Sequence, residues 1–317
     1  MKEFPIETVD VHRPYRPGDE LRTVVGPHPF LAPLREAGQD AEGPRLTFDD
    51  TFVPTHTAFR AMAEHQQFAV SELALATYVQ ARAAGKPLTL LPVTLTSRFQ
   101  HDQLVADAAR RRLQPSDLQG RRVGVRSYSQ TTGVWVRAIL RRQYGLDLDR
   151  IEWVVFEQPH VRGFAPPGNV TQVEDEDIQT SFQRGELDAV IGVDVRGGAI
   201  EPVIPSPGLA AKAWYDRVGC VTLNHLLTVR EDVLEADPEG VQAIYRRFRD
   251  AVAGRPDRPV ATAPDWSWCS AVELLPVGYS GIFPALRVLA DEAYEQGLIV
   301  QRLTDDDLSH PLVRDWE

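Results

Sequence analysis

Strand-length apolar runs and helix-spaced apolar residues take turns along this chain, and that alternation constrains its fold more than any other feature. Residues 21–25 and 46–48 read as short strands, and residues 57–65 as a helix with Phe59, Met62 and Ala63 on one side. A strand over 68–70 leads into a helix over 73–84 closed by Gly85, a residue that accepts the left-handed conformation at a helix end. Residues 88–95 form an apolar run of strand length, and 121–125 another strand entered from the turn at Gly120. Val136, Ile139, Leu140 and Tyr144 fall at helical spacing and Gly145 ends that helix. A strand over 151–156, a helix over 178–184 stopped by Gly185 and a strand over 187–193 follow. Strand, helix, strand in repetition predicts a largely parallel sheet with helices on both faces.

The pattern comes in two blocks. A stretch rich in Gly and Pro over 196–213 precedes a strand over 220–229, a helix over 238–252 and a last helix ending at Gly297. These late elements are too few to build a domain alone, so they are predicted to return to the first lobe. The organisation expected is an irregular arm over 1–20, a first lobe of 21–105 and 222–317, and a second lobe of 106–221. A chain of 317 residues suits two lobes. The Pro-rich stretch from Arg255 to Pro264 reads as a surface insertion.

With 45 acidic against 34 basic residues the net charge is −11, and no long Lys/Arg run offers a local exception. Nucleic acid is therefore not an expected partner. A small carboxylate stays compatible, because a few Arg side chains and backbone N–H groups set the local sign of a pocket. No stretch approaches 18 consecutive apolar residues, so no membrane span is expected. The first residues lack the basic, apolar and small-residue regions of a signal peptide, which places the chain in the cytoplasm unless a leader has been removed. Cys220 and Cys269 lack partners at metal-binding spacing and are expected to be buried and inert. Without HxH, HExxH, EF-hand, GxGxxG or P-loop wording, neither a metal nor another cofactor is expected. Composition leaves a homo-oligomer open.

Several segments resemble the 4,5-dihydroxyphthalate decarboxylase family. They are Phe68-Ala-Val-Ser-Glu-Leu-Ala-Leu-Ala-Thr-Tyr78, Arg122-Val-Gly-Val-Arg-Ser-Tyr128 and Gly133-Val-Trp-Val-Arg-Ala-Ile-Leu140 with Tyr144-Gly145. Gly185-Glu-Leu-Asp-Ala-Val-Ile191, His225 with Val229-Arg-Glu-Asp-Val233, and Glu295-Gln-Gly-Leu298 extend the likeness over roughly residues 60–300. Trp135, Arg137 and His225 carry its more specific part. The resemblance implies a two-lobed α/β fold of the type 2 periplasmic-binding-protein kind, with mixed, mostly parallel sheets and a ligand cleft between the lobes. It also implies a cofactor-independent lyase that decarboxylates a hydroxylated, phthalate-like aromatic acid or a related unsaturated acid.

In open α/β sheets ligands sit beyond the carboxyl ends of the strands, so candidate residues belong to the segments that follow each strand. Ser129, Gln130, Thr131 and Thr132 lie between a strand and a helix, where hydroxyls and free N–H groups either hold a carboxylate or merely cap the helix. Arg98 follows the 88–95 strand and could clamp a carboxylate or form an ordinary salt bridge. His101, three residues on, could share that site or simply be exposed to solvent. Ser71 and Glu72 follow the strand ending at Val70, and Glu72 could orient a histidine, orient a phenolic hydroxyl or simply favour a helix start.

His225, inside an otherwise largely apolar run, needs a partner if buried, and the resemblance makes it the first choice for delivering a proton to a ring carbon. His28, on a Pro-bounded turn, is the second. Asp194 and Arg196 could read the ligand from the second lobe or bridge the lobes. The competing reading is a carboxylate-binding protein without turnover. A third is another cytoplasmic lyase of this fold, such as those of the futalosine menaquinone route or the pyrimidine synthases of thiamine metabolism.

Overall fold

A computed structural model of the chain describes residues 14–36, 43–195, 198–255 and 264–317. Most of the expected arm, most of the 255–264 insertion and Arg196 lie outside the described residues. The strands in chain order are β1 (Leu21–Val24), β2 (Leu46–Phe48), β3 (Val70–Ala74), β4 (Leu88–Ser97), β5 (Leu104–Asp107), β6 (Arg122–Val125), β7 (Glu152–Val155), β8 (Val170–Gln172), β9 (Ala189–Ile191), β10 (Ile200–Pro202) and β11 (Leu223–Arg230). They form two sheets, ordered β2-β1-β3-β11-β4 and β10-β5-β9-β6-β7-β8. In the first, β11 runs antiparallel between β3 and β4. In the second, β9, β6, β7 and β8 are parallel, and β5 and β10 add an antiparallel edge. This is the two-lobed α/β architecture expected.

The chain passes from one sheet to the other after Ser97 and returns before Leu223. The two crossing segments are tied side by side. Arg98 N–H donates to the Thr222 carbonyl at 3.4 Å, Thr222 Oγ1 donates to the Arg98 carbonyl, and Gln100 Nε2 donates to Asn224 Oδ1 at 2.8 Å.

Two expectations need correction. The strand expected at 68–70 is β3, Val70–Ala74, followed by a helix over Leu75–Ala83, so Ser71 and Glu72 lie inside a central strand rather than after one. Both are polar residues on a strand buried along its whole length, and their partners come from other elements, which is why the apolar run looked shorter than the strand. The stretch taken as a pause over 196–213 contains most of the helix Pro207–Val218. Pro207 stands at its first turn, so part of what suggested a break is this helix's own start, and Gly219, beyond that stretch, closes it.

The helix Pro238–Ala253 covers one face of the first sheet, where Val241, Ile244 and Phe248 meet Val70, Leu91 and Val229. The helix Tyr279–Glu295 lies against both Leu75–Ala83 and Thr131–Tyr144. One continuous core therefore runs from the first sheet into the second. Trp135, fully buried, belongs to it, and its indole N–H donates to the Leu223 carbonyl at 2.8 Å, fixing the Thr131–Tyr144 helix to the entry of β11. An indole that size in the core contributes several kcal/mol, ~25 cal/mol for each Å² of apolar surface removed from water.

Candidate active site

Antiparallel register places Glu72 of β3 opposite Leu227 of β11, and Ala74 opposite His225. Since side chains alternate along a strand, Glu72 and His225 share a face as diagonal neighbours. Glu72 Oε1 stands 2.6 Å from His225 Nδ1, and Oε2 stands 2.8 Å from His28 Nε2 and accepts the Gly26 N–H at 2.8 Å. Gly26 permits that approach, because a Cβ there would come within 3.0 Å of His28 Nε2 and 3.1 Å of Glu72 Oε2. The Glu72 side chain is 2% exposed. Burial favours its neutral form, but hydrogen bonds from His225 and then His28 overcome that and hold the carboxyl well below the ordinary range.

His225 stands edge-on to Phe59 with ring centres 5.1 Å apart, which fixes its plane. With Nδ1 on the carboxylate, Nε2 is the nitrogen left for a cleft of about 440 Å³ between the lobes.

The facing wall is the loop after β6 and the start of the Thr131–Tyr144 helix. Ser127, Ser129, Gln130, Thr131 and Thr132 line the cleft together with Arg126. Gln130 occupies the N-cap position without capping through its side chain, so the first-turn N–H groups keep their capacity for an anion. Its Oε1 is buried without a partner. Beneath this loop sits Arg137, fully buried, donating to the Tyr128 carbonyl at 2.5 Å and to Gln296 Oε1 at 2.7 Å, with its guanidinium 3.9 Å from the Tyr128 ring centre. The cleft-facing loop therefore rests on a buried cationic support.

No protein-family model matches the chain. It is 30% identical over 251 residues to the 4,5-dihydroxyphthalate decarboxylase of Comamonas testosteroni, covering 74% of this chain and 75% of that protein. The chain belongs to the 4,5-dihydroxyphthalate decarboxylase family. The Pseudomonas putida protein of the same name is 29% identical over 189 residues, which cover 54% of this chain and 69% of it. Among solved structures, the periplasmic aliphatic sulphonate binding protein SsuA from Escherichia coli matches with a TM-score of 0.59 at 14% identity, covering 93% of this chain and 99% of that one. A cysteine-to-serine mutant of DSZB in complex with biphenyl-2-sulfinic acid matches with a TM-score of 0.54 at 14% identity, over 92% of this chain and 96% of that one. These likenesses establish the periplasmic-binding-protein fold.

In this family member, Arg98, Ser129, Gln130, Thr131, Thr132 and His225 all line the cleft. Thr131 does so with its hydroxyl already engaged, since Oγ1 accepts the Ala76 N–H at 3.0 Å and joins the lobes. Thr132 Oγ1 likewise accepts from Asn224 Nδ2 at 3.3 Å. Glu72 lies behind His225. His28 lies on the far side of Glu72 and opens on a second cavity of about 290 Å³. Ser71 is buried, its hydroxyl donating to the Glu72 carbonyl at 2.8 Å, and does not line the cleft.

His101 does not join Arg98. It is fully buried, bonded at 3.0 Å to Gln143 Oε1 and set edgewise to Trp214, and burial pushes its pKa down to about 4. The strand before it had ended at Ser97, and by residue 101 the crossing segment has turned into the core. Asp194 is exposed and not part of the cleft lining.

Sequence reasoning missed Arg126, His56 and His160. Arg126 is the first residue after β6, and His160 lies in the segment after β7, so the strand-end rule that found Arg98 reaches both. Arg126 is half-buried, 3.2 Å from Glu157. His160 Nδ1 is 2.9 Å from Thr77 Oγ1, and burial, then Arg126, push its pKa down to about 4. His56 is lowered by burial first and Arg126 second. Both present neutral imidazoles at pH 7. Among the described residues no group of three His, Cys, Asp or Glu is placed to hold a metal.

Proposed function

We propose that this chain decarboxylates a dihydroxylated, phthalate-like aromatic acid, with His225 as general acid and no added cofactor. The observation that carries the reading is the Glu72–His225 pair opening onto a cleft whose opposite wall is built from anion-holding groups. Family membership supports the reaction class.

Loss of carbon dioxide from an aryl carboxylate needs a proton on the ring carbon that bears it. In 4,5-dihydroxyphthalate each carboxylate is para to a phenolic oxygen, which pushes electron density to that carbon. The ring π pair takes the proton from His225 Nε2 and forms the C–H bond. The electron pair of the bond to the carboxylate then returns to the ring, aromaticity is restored and carbon dioxide departs. One proton is consumed for each carbon dioxide released. Ionised Glu72 stabilises the imidazolium that delivers it and keeps Nδ1 engaged.

Arg126, Arg98 and the first turn of Thr131–Tyr144 suit the carboxylate that stays. A carboxylate about to become neutral carbon dioxide loses any ion pair it had, so rate is gained only when the departing group sits away from the guanidinium groups. Lobe closure excludes water and strengthens both contacts.

The test incubates purified protein with 4,5-dihydroxyphthalate in deuterium oxide, with and without a chelator. Expected are carbon dioxide, 3,4-dihydroxybenzoate with one deuterium on the ring carbon that bore the lost carboxylate, and no loss of rate with chelator. Tight binding of the acid without carbon dioxide would make the chain a carboxylate-binding protein and overturn the reading.

A further inference from the structure

One carboxylate serves two imidazoles here. Glu72 places Oε1 at 2.6 Å from His225 and Oε2 at 2.8 Å from His28, and it is the acid that both rings touch. The rings belong to different surroundings: His225 lines the main cleft, while His28, 16% exposed and stacked on Phe30 at 5.2 Å, lines the second cavity. We propose that His28 is a positioning residue that sets the acid strength of His225 by competing with it for the charge of Glu72. The proposal rests on the reading of His225 as the general acid.

A proton on His225 is stabilised by Glu72, and so is a proton on His28, but one negative charge cannot fully stabilise both. When a single proton is shared, it divides between the two rings, and the titration belongs to the pair. His28 thereby takes part of the pairing energy that would otherwise go to His225 alone, and leaves the proton on His225 readier to pass to carbon.

Other charges are accounted for on each side. Around His225 stand the imidazoles of His56 and His160, each of which feels it, Arg126, which acts on both of those rings and pairs with Glu157 at 3.2 Å, and Arg98, which lines the same cleft and feels Asp102. Around His28 stand Arg35, bound to Asp50 at 2.7 Å and to the Val25 carbonyl at 2.8 Å, and Asp49, bonded to Arg22 at 2.9 Å. Arg35 and Asp49 are thus already engaged, while Glu72 links His28 directly to His225.

The experiment follows the ring nitrogens of His28 and His225 by NMR through a pH titration of the ligand-free protein, and the pH profile of kcat/KM with 4,5-dihydroxyphthalate. In the wild type both rings should show the same two inflections. In His28→Gln, whose amide still donates to Glu72 but never charges, His225 should titrate in a single step with its midpoint raised by about one pH unit. The alkaline limb of kcat/KM should rise by the same amount. Independent single inflections in the wild type, or an unmoved His225 midpoint in a folded variant, would overturn the proposal. The wild-type titration decides the matter even where the variant does not fold. A raised midpoint in protein that releases no carbon dioxide defeats the decarboxylase reading while the coupling stands. Carbon dioxide release with an unmoved midpoint defeats the coupling alone.

Discussion

The two walls of the cleft are built from different chemistry. The first lobe contributes Glu72 and His225 from adjacent antiparallel strands, where register fixes their separation and one proton can be held and moved. The second contributes a helix start, two serines, a glutamine and Arg126, whose partner Glu157 also lines the cleft, and these hydrogen-bond donors and the guanidinium suit an anion more than they suit proton transfer at neutral pH. A proton donor gains from rigid placement on a sheet, and an anion cradle gains from N–H groups that only a loop and a helix start leave free. If this division is right, damage to the first wall should lower kcat and damage to the second should raise KM.

The largest expected effect is at His225. His225→Gln keeps a side chain that can pair with Glu72 but cannot act as an acid of near-neutral pKa, and kcat should fall by about 10²- to 10⁴-fold with KM nearly unchanged. Steady-state release of carbon dioxide measures it. A loss confined to KM would mean that the first wall binds rather than reacts.

Arg126→Gln should act the other way. It removes a half-buried cation from the second wall, and a charge-assisted contact of about 1.5–3 kcal/mol corresponds to a rise in KM of roughly 10- to 100-fold with kcat largely kept. The same variant should raise the pKa of His160, since Arg126 is one of the causes that lower it. A fall in kcat at unchanged KM would break the division between the walls.

How far these walls were legible in the sequence depended on which physical rule each residue obeys. The strand-end rule found Arg98 and residues 129–132 because their strands end where the apolar runs end. The pair of Glu72 and His225 was readable only as separate candidates, since strand register is a long-range property that no local pattern carries. Glu72 was placed after a strand that in fact contains it, because a buried carboxylate satisfied by three donors breaks the apolar run that marks a central strand. His101 shows the reverse error. Proximity to Arg98 in sequence suggested proximity in space, but the crossing segment turns inward within three residues.

His101, buried away from both walls, makes a prediction about acid stability. The ordinary imidazole titrates near 6.5 and His101 only at about 4, so between those values the unfolded chain binds a proton that the folded one refuses. The stability associated with neutral His101 is complete above pH 6.5 and is lost as pH falls toward 4. At ~1.4 kcal/mol for each pH unit, the loss from this one group between pH 7 and 5 is about 2 kcal/mol. His101→Gln, which can still donate to Gln143, should therefore destabilise less on acidification than the wild type by that amount, read from urea unfolding at both pH values. Equal acid sensitivity would mean that His101 is not held neutral.

The smallest expected effect is at Arg98, which lines the same cleft from the end of β4 and tests whether position or solvent access decides the strength of the proposed clamp. Unlike Arg126, it has no carboxylate within ion-pair distance among the described residues and keeps more of its surface in solvent, although burial lowers its pKa and Asp102 acts on it. An exposed charge pair contributes about 0.2–1 kcal/mol, so Arg98→Gln should raise KM by roughly twofold to fivefold at low salt. Screening should erase most of that difference as ionic strength rises, while the deficit of Arg126→Gln should persist, because a half-buried pair is screened less. Should the Arg98 deficit prove as large as that of Arg126 and equally indifferent to salt, the lobes must close over Arg98 when the acid is bound. The clamp would then be assembled by closure, with one guanidinium supplied by each side of the cleft.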